Sequence, residues 1–281
     1  MGLFSDRAYV VVGGGRGIGR ATALALAQHG ARLVIDDVGC DANGEGHDPN
    51  VAAEVAAEIR SRGGEALALS LDARTRDTPQ RLVEACTKAF GVVNGGLYCA
   101  GFTRERALLR MNDEDLDSLL DVQVRGAFRF TRDLGRALVD QRQGGSIVLC
   151  SSNAAFFGSA AQAGAAAAAG AVASLARTAA TELRRQGVRV NCVIPTARTR
   201  LTEHLPLFRS IKADSLSAEH VASVIGHLLS DAAQDVHGEL IGVAGGRTYA
   251  FRMSETSGLF REGPPVEWGD LAAGWREVTR T

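Results

Sequence analysis

Short apolar runs alternate with longer segments of helix-forming residues along most of the chain. Continuous apolar runs rich in β-branched residues are typical of buried parallel strands, and the segments between them are long enough to be helices. The predicted strands are the run that begins at Ala8 and the runs Arg32 to Ile35, Leu67 to Ser70, Gly96 to Ala100, Ser146 to Cys150, Arg189 to Ile194 and Glu239 to Val243. This alternation predicts an α/β fold with a doubly wound, mainly seven-stranded parallel sheet and helices on both faces.

The first predicted strand leads into a glycine cluster and then a helix, in the sequence AYVVVGGGRGIG followed by RATALALAQHG. Glycines in such a turn take positive φ or let the backbone approach a pyrophosphate at the helix N-terminus. The next strand ends in Asp36 and Asp37, where a carboxylate can hydrogen-bond a ribose 2′-hydroxyl and would repel a 2′-phosphate. The pattern therefore predicts a Rossmann-like site for NAD(H) rather than NADP(H), although Arg16 within the turn favours the opposite preference.

Composition indicates one compact domain over residues 1–281. The chain has 281 residues, 46% hydrophobic and 22% charged, which is enough to bury a full core. We expect residues from about 245 onward to form an extension that packs on a neighbouring subunit or on the substrate cleft. The net charge of -1 provides no basic field, so we predict no nucleic-acid partner.

Localisation and metal binding are inferred from what the sequence lacks. The one long small-residue stretch, Ala160 to Ala176, consists of Ala and Gly rather than Leu and Ile, so we predict no membrane span. The N-terminus resembles no signal peptide, and the five scattered cysteines are typical of reduced thiols, so we predict a cytoplasmic protein. The loop Asp37 to Asn50 lacks the spacing of a Ca²⁺ loop, and we predict no metal site. The lone histidines His47 and His204 receive no role.

The glycine spacing resembles the TGxxxGIG motif of the short-chain dehydrogenase/reductase family. The resemblance covers nearly the whole chain: LDA resembles the adenine-contacting segment, YCAG stands for NNAG, GSIVLCSS resembles the strand that ends in the catalytic Ser, and RVNCVIPTARTRLT resembles the nicotinamide loop. The cofactor-binding residues that it implies are Gly13, Gly15, Arg16, Gly17, Ile18, Gly19, Asp37, Asp72, Ala73, Ala100, Gly101, Pro195 and Thr199.

One branch of the family is more similar than the others, namely the (3R)-hydroxyacyl-CoA dehydrogenase domain of peroxisomal multifunctional enzymes. The insertion Asp37 to Asn50, the segment RERALLRMNDEDLDSLLDVQVRGAF and the tail GGRTYAFRMSETSGLF carry this likeness. The resemblance implies an acyl-CoA-like ligand. It also implies a dimer or tetramer, with an interface formed by a helix from about Asp113 to Asp140 and by the alanine-rich helix that follows.

Most of the family's catalytic residues are missing. The resemblance places the catalytic Ser at Ser152 and the relay Asn at Gln123, but it places the Tyr and Lys of YxxxK at Ala165 and Ala169. Residues four apart lie on one helix face, so in the family the Lys reaches the nicotinamide ribose and lowers the pKa of the phenol. Alanine supplies neither a proton nor a charge. Positioned acid/base catalysis contributes about 10²- to 10⁴-fold, so we expect ordinary hydride transfer to be very slow.

Three functions stay open. We favour an NAD(H)-binding subunit without its own dehydrogenase activity, in a homo-oligomer or beside an active paralogue that acts on acyl-CoA-like substrates. The second is an enzyme repurposed as a lyase, dehydratase or cyclase, with Ser152, Gln123 and Arg125 in the cleft. The third is an active NAD-dependent hydroxyacyl-CoA-type oxidoreductase that uses a substitute acid.

Overall fold

The computed structural model describes residues 2–209, 211–263 and 265–279. The chain divides into two compact units, with the boundary between Ala250 and Phe251. The larger unit contains an eight-stranded sheet in the order β3-β2-β1-β4-β5-β6-β7-β8. Its strands are β1 (Ala8–Val12), β2 (Arg32–Asp36), β3 (Glu65–Leu69), β4 (Gly95–Tyr98), β5 (Gly145–Cys150), β6 (Val188–Thr196), β7 (Leu240–Ala244) and β8 (Arg247–Ala250).

Strands β1 to β7 are parallel, which confirms the predicted doubly wound α/β fold. All five residues of β1 and all four of β4 are buried, because helices cover both faces of the sheet at its centre. Strand β8 is antiparallel to β7 and was not predicted. Gly245, at φ 57°, takes the left-handed conformation in the tight reversal between these two strands.

Helices of the larger unit form two layers. Helices α1, α2 and α9 pack on one face of the sheet, and α3, α5 and α7 pack on the other. The helices are α1 (Gly17–Gln28), α2 (Asn50–Ser61), α3 (Thr78–Phe90), α4 (Asp113–Leu119), α5 (Ala127–Gln141), α6 (Ala154–Phe157), α7 (Ala163–Leu183), α8 (Pro206–Arg209) and α9 (Ala218–Leu229). Chain crossovers to both faces leave a crevice where the strand order reverses, between β1 and β4.

A π-helical segment, Leu120–Gly126, joins α4 to α5 and interrupts the single helix that the sequence predicts there. The hydroxyl of Tyr98, on β4, donates a hydrogen bond to the carbonyl of Val122 at 2.5 Å. A Cβ on residue 126 would collide with the Tyr98 hydroxyl, so Gly126 leaves the space that the phenol occupies. Tyr98 thereby fixes the wider turn against the sheet.

The smaller unit contains helix α10 (Trp268–Thr279). Within it, the hydroxyl of Thr256 donates to the carbonyl of Val278 at 2.7 Å, and Arg261 pairs with Asp270 at 2.7 Å. The expected packing of this tail on a neighbour or on the cleft stays a prediction. Throughout the described residues, no helix combines the length and the apolar character that crossing a bilayer requires.

Candidate functional site

The turn between β1 and α1 depends on glycine at two of its positions. Gly13 has φ 77°, and a Cβ there would lie 2.7 Å from the backbone nitrogen of Ala100, which follows β4. A Cβ on Gly19 would collide with the carbonyl oxygen of Gly13. The turn is therefore close to the neighbouring strand and to the first turn of α1, as a phosphate-binding backbone requires.

The N-terminus of α1 opens into a cavity of about 250 Å³ and fits an anionic group. Gly17 and Ile18 line this cavity, the N-cap residue Arg16 gives no side-chain cap, and the first turn has no acidic residue. The N–H groups of a first helical turn have no partner within the helix, and the helix dipole is positive at this end. A pyrophosphate would satisfy both conditions.

Asp37 lies at the edge of the same cavity and binds the turn. Its Oδ2 accepts a hydrogen bond from the N–H of Gly15 at 2.9 Å, and its Oδ1 accepts one from Gly39 at 2.8 Å. An ionised carboxylate has about four acceptor positions, so each oxygen retains one for a ribose hydroxyl. Arg16 is bound elsewhere, because its guanidinium donates to the carbonyl of Cys40 at 2.7 Å.

Asp36 and Asp72 are two further carboxyl groups of this cavity, with opposite pKa shifts. Burial raises the pKa of Asp36 to about 7, although the N–H of Leu71 donates to its carboxyl at 2.8 Å. Burial also raises the pKa of Asp72, but hydrogen bonds from Arg74 outweigh it and bring this pKa below its usual range. The guanidinium of Arg74 donates to both carboxylate oxygens of Asp72. Its Nε lies 3.0 Å from Oδ1 and 2.9 Å from Oδ2, and its Nη2 lies 2.6 Å from Oδ2.

A second cavity, also about 250 Å³, shares a wall with the first at Ile18, Ala100, Gly101 and Thr199. The structure brings most of the predicted site residues to these two cavities. The predicted residues that line the first cavity are Gly13, Arg16, Gly17, Ile18, Asp37, Asp72, Ala73, Ala100, Gly101 and Thr199. Besides the shared wall, those that line the second cavity are Gln123, Ser152, Ala165, Ala169 and Pro195. Gly15 and Gly19 are buried behind the lining. The hypothesis of a repurposed enzyme placed Arg125 in the cleft, but among the described residues Arg125 lines neither cavity. It pairs with Asp121 instead.

Two polar side chains of the second cavity, those of Gln123 and Ser152, are held by hydrogen bonds to the backbone. Gln123 donates its amide N–H to the carbonyl of Phe102 at 2.9 Å. The hydroxyl oxygen of Ser152 accepts from the N–H of Ala154 at 3.2 Å, at the start of α6. Ala165 and Ala169, one turn apart on α7, form the wall of the cavity that Ser152 also lines. The arrangement supplies an amide and a hydroxyl for hydrogen bonding, and an apolar wall beside them.

The three tyrosines of the chain lie on strands β1, β4 and β8 rather than on α7. Tyr9 is buried on β1, with its hydroxyl 3.4 Å from the carbonyl of Leu229, and Tyr249 lies on β8 with Arg247 over its ring at 4.4 Å. Tyr98 lines the second cavity, but burial raises its pKa well above the usual range and its hydroxyl is bound to the backbone. Within the described part of the chain, lysine lines neither cavity.

Glu105 lines the second cavity and pairs with His204, which lies outside the cavity lining. The sequence did not predict this pair. The Oε1 atom of Glu105 lies 3.1 Å from Nε2 of His204 and accepts from the amide of Gln162 at 3.4 Å. Glu105 and His204 are 99 residues apart in the chain, so no local motif could identify them. Across the described residues, no cluster of three His, Cys, Asp or Glu side chains is arranged to hold a metal ion.

Comparison with known proteins identifies relatives over almost the full chain. The family model described as Enoyl-(Acyl carrier protein) reductase matches residues 12–248. A short-chain type dehydrogenase/reductase of Mycobacterium tuberculosis is 31% identical over 274 residues, which cover 98% of this chain and 94% of that protein. A hydroxyacyl-CoA dehydrogenase of the same organism is 35% identical over 255 residues, which cover 86% of this chain and 78% of that protein.

A solved structure supports the same similarity. The full-length peroxisomal multifunctional enzyme type 2 of Drosophila melanogaster superimposes with a TM-score of 0.79 at 28% identity. The match covers 99% of this chain and 46% of that enzyme, so the chain spans about half of its length.

Proposed function

The chain belongs to the short-chain dehydrogenase/reductase family, and we propose that it is a member that binds NAD(H) without catalysing hydride transfer. The observation that carries the proposal is the alanine wall of the second cavity, formed by Ala165 and Ala169 beside Ser152. Apolar methyl groups stand where the family resemblance places a phenol and an ammonium group. The protein would keep a cofactor site beside a pocket that lacks the usual proton donor.

Support for cofactor binding comes from three features of the first cavity. The glycines at 13 and 19 let the backbone come close, the first turn of α1 lacks acceptors for its N–H groups, and Asp37 retains acceptor positions for a ribose hydroxyl. NAD, when bound, supplies the acceptor for a hydride. The carboxylate of Asp37 would repel a 2′-phosphate, which favours NAD(H) over NADP(H).

The second cavity supports weak or no redox chemistry on a carbonyl or alcohol. The Ser152 hydroxyl and the Gln123 amide would bind and orient a substrate oxygen, but neither group exchanges its proton readily near neutral pH. A lysine on α7 would stabilise a phenolate, and Ala169 cannot do so. Loss of positioned acid/base catalysis corresponds to about 10²- to 10⁴-fold in rate.

We further propose that the protein acts as a subunit beside an active paralogue and takes an acyl-CoA-like ligand. A relative named hydroxyacyl-CoA dehydrogenase supports the ligand class. The groove between α5 and α7, about 400 Å³, is mainly apolar at its surface and is lined by Phe128, Val139 and Leu175, with Phe128 52% exposed. Small residues along α7 would let a neighbouring helix approach closely, whether from a second copy or from a paralogue.

Co-purification tests the subunit proposal. The tagged full-length protein, expressed at its natural level in its own cells, would be isolated and weighed by native mass spectrometry. We expect an assembly that contains a second, different chain of the same family with an intact YxxxK motif. A protein recovered only as a homo-oligomer in repeated isolations would contradict the paralogue proposal. Cofactor binding is tested separately, by calorimetric titration with NADH.

The pair formed by Glu105 and His204 favours a second candidate function, which is non-redox chemistry at the second cavity that Glu105 lines. A carboxylate and an imidazole 3.1 Å apart are suited to moving a proton, as hydration or elimination of an acyl thioester requires. The test is incubation with enoyl- and hydroxyacyl-CoA, with products identified by mass spectrometry. Conversion that disappears in Glu105→Gln and persists in the exposed-site control Glu54→Gln would support it, and no conversion by the isolated protein would reject it.

A further inference from the structure

Two cysteines meet where the two cavities adjoin. Cys99 directly follows β4 and lines both cavities, while Cys150 is the last residue of β5 and lines the second. Strands β4 and β5 are parallel neighbours, with Tyr98 opposite Leu149. Extending this register by one residue places Cys99 opposite Cys150. Neither thiol belongs to the hydrogen-bonded machinery described above.

The geometry of adjacent strands brings these two side chains within bonding reach. Neighbouring strands lie about 4.8 Å apart, and side chains at opposed positions point to the same face of the sheet. Both thiols pack against the core between the sheet and the layer of α1 and α9. A disulfide requires Cα atoms about 4.4–6.8 Å apart, and this register meets that condition.

The state of the thiols supports direct contact between them. The Cys150 thiol shares a hydrogen bond with Cys99, and this bond together with burial raises the pKa of Cys150 well above its usual range. Cys99 is the better placed of the two to meet a solute, since it lines both cavities. Cys86 and Cys192 are both buried. Cys86 lies on α3, away from this pair, whereas Cys192 lies on β6 opposite Leu149, the residue before Cys150.

We propose that Cys99 and Cys150 form a redox-active dithiol that a hydroperoxide converts to a disulfide, and that this disulfide impairs the adjoining cofactor cavity. The Cys99 sulfur attacks the hydroperoxide oxygen, which gives a sulfenic acid and releases water when the oxidant is hydrogen peroxide. The Cys150 sulfur then attacks the Cys99 sulfur and displaces a second water. Overall, two thiols lose two electrons and two protons, and one hydrogen peroxide becomes two waters.

The link to the cofactor cavity is the backbone that follows Cys99. Ala100 lies against Gly13, close enough that a Cβ on Gly13 would be 2.7 Å from its nitrogen. A disulfide that draws Cys99 toward β5 would move Ala100 relative to the glycine turn. The backbones of Ala100 and Gly13 are already in close contact, so the turn would have to shift as well. The effect on NADH binding rests on the proposed function, whereas the disulfide itself does not.

The test uses the purified full chain, treated with stepwise additions of hydrogen peroxide and then with N-ethylmaleimide to label the remaining thiols. We expect a loss of two hydrogen atoms, two fewer labels, and a crosslinked peptide that joins Cys99 to Cys150, all reversed by dithiothreitol. The crosslink should be absent in Cys99→Ser and Cys150→Ser and unchanged in the control Cys86→Ser. Oxidation of Cys99 to sulfinic acid without a crosslink, or a disulfide between other cysteines, would overturn the proposal.

Calorimetry with NADH completes the test. The oxidised wild-type protein should bind NADH at least tenfold more weakly than the reduced protein, and Cys150→Ser should bind it equally before and after peroxide. A crosslinked protein with unchanged NADH affinity would overturn the coupling to the cavity. If the reduced wild-type protein binds no NADH, the proposed cofactor function fails, while the peptide map still decides the dithiol.

Discussion

The carboxylate of Asp37 accepts a hydrogen bond from the backbone N–H of Gly15, which lies 22 residues earlier in the glycine-rich turn. One side chain at the end of β2 therefore holds the turn and also faces the cavity where a ribose would bind. The two strands β1 and β2 pair in parallel, and their carboxyl ends place the turn beside Asp37. Cofactor preference and the shape of the turn depend on the same carboxylate.

Substitution Asp37→Asn tests that dual role. The amide cannot accept at both ends, and it removes the charge, so we expect NADH affinity to fall about tenfold, which corresponds to the loss of about 1.4 kcal/mol from a hydrogen bond to a charged group. Affinity for NADPH should fall less or rise, because the repulsion of the 2′-phosphate is lost. Calorimetric titration with both nucleotides measures this, and Glu54→Gln on the exposed face of α2 is the control. Equal losses for both nucleotides would contradict the role in selectivity.

Gly126 and Tyr98 are predicted to be energetically coupled. A methyl group on residue 126 would collide with the Tyr98 hydroxyl, so Gly126→Ala should lower the free energy of unfolding by about 1–3 kcal/mol, the range for overpacking. In a Tyr98→Phe background the hydroxyl is absent and the cost of Gly126→Ala should shrink. The matched control is Gly170→Ala on α7, where nothing stands in the way of a methyl group. Urea unfolding of the four proteins of the cycle measures the coupling, and additive effects would count against it.

Asp36 is predicted to make stability depend on pH. Its pKa is about 7 in the folded protein and near the ordinary value of 3.8 in the unfolded chain, because burial disfavours the charged form. Between these values the folded state binds more protons than the unfolded state, so the free energy of unfolding falls as pH rises. The slope approaches about 1.4 kcal/mol per pH unit in this window and levels off above the folded pKa.

The variant Asp36→Asn removes the titration and keeps an oxygen for the N–H of Leu71. Urea unfolding at pH 5, 6, 7 and 8, without nucleotide, should show a smaller fall for the variant than for the wild type. The variant should therefore gain stability relative to the wild type as pH increases. Parallel pH profiles for the two proteins would show that Asp36 is ionised in the folded state throughout.

The fold could be predicted because its strands are apolar runs buried on both faces. The apolar run that begins at Ala8 forms β1, and every residue of that strand is buried. Gly13 and Asp37 were predicted because they follow the ends of β1 and β2, and both line the first cavity. Strand β3, predicted as Leu67 to Ser70, begins two residues earlier, since edge strands carry a less regular apolar pattern. The antiparallel β8 has no such pattern, and its place depends on the turn at Gly245.

The features that the sequence did not predict depend on contacts between distant residues. The π-helical segment is held by the hydrogen bond from Tyr98 to Val122, which lies 24 residues later in the chain. The helical periodicity of the sequence around Val122 does not indicate that contact. Glu105 and His204 come from separate loops, and Cys99 and Cys150 from separate strands. The cysteines look scattered in the sequence because their opposition requires the strand order of the sheet.

Steady-state formation of NADH from NAD⁺ and a (3R)-hydroxyacyl-CoA tests the central claim most directly. The wild-type protein, shown by calorimetry to bind NADH in the same buffer, should form NADH at least about 10²-fold more slowly than a hydroxyacyl-CoA dehydrogenase relative assayed beside it. The variant with Ala165→Tyr and Ala169→Lys serves as the positive comparison. Sustained turnover by the wild-type protein at the rate of the relative would contradict the account.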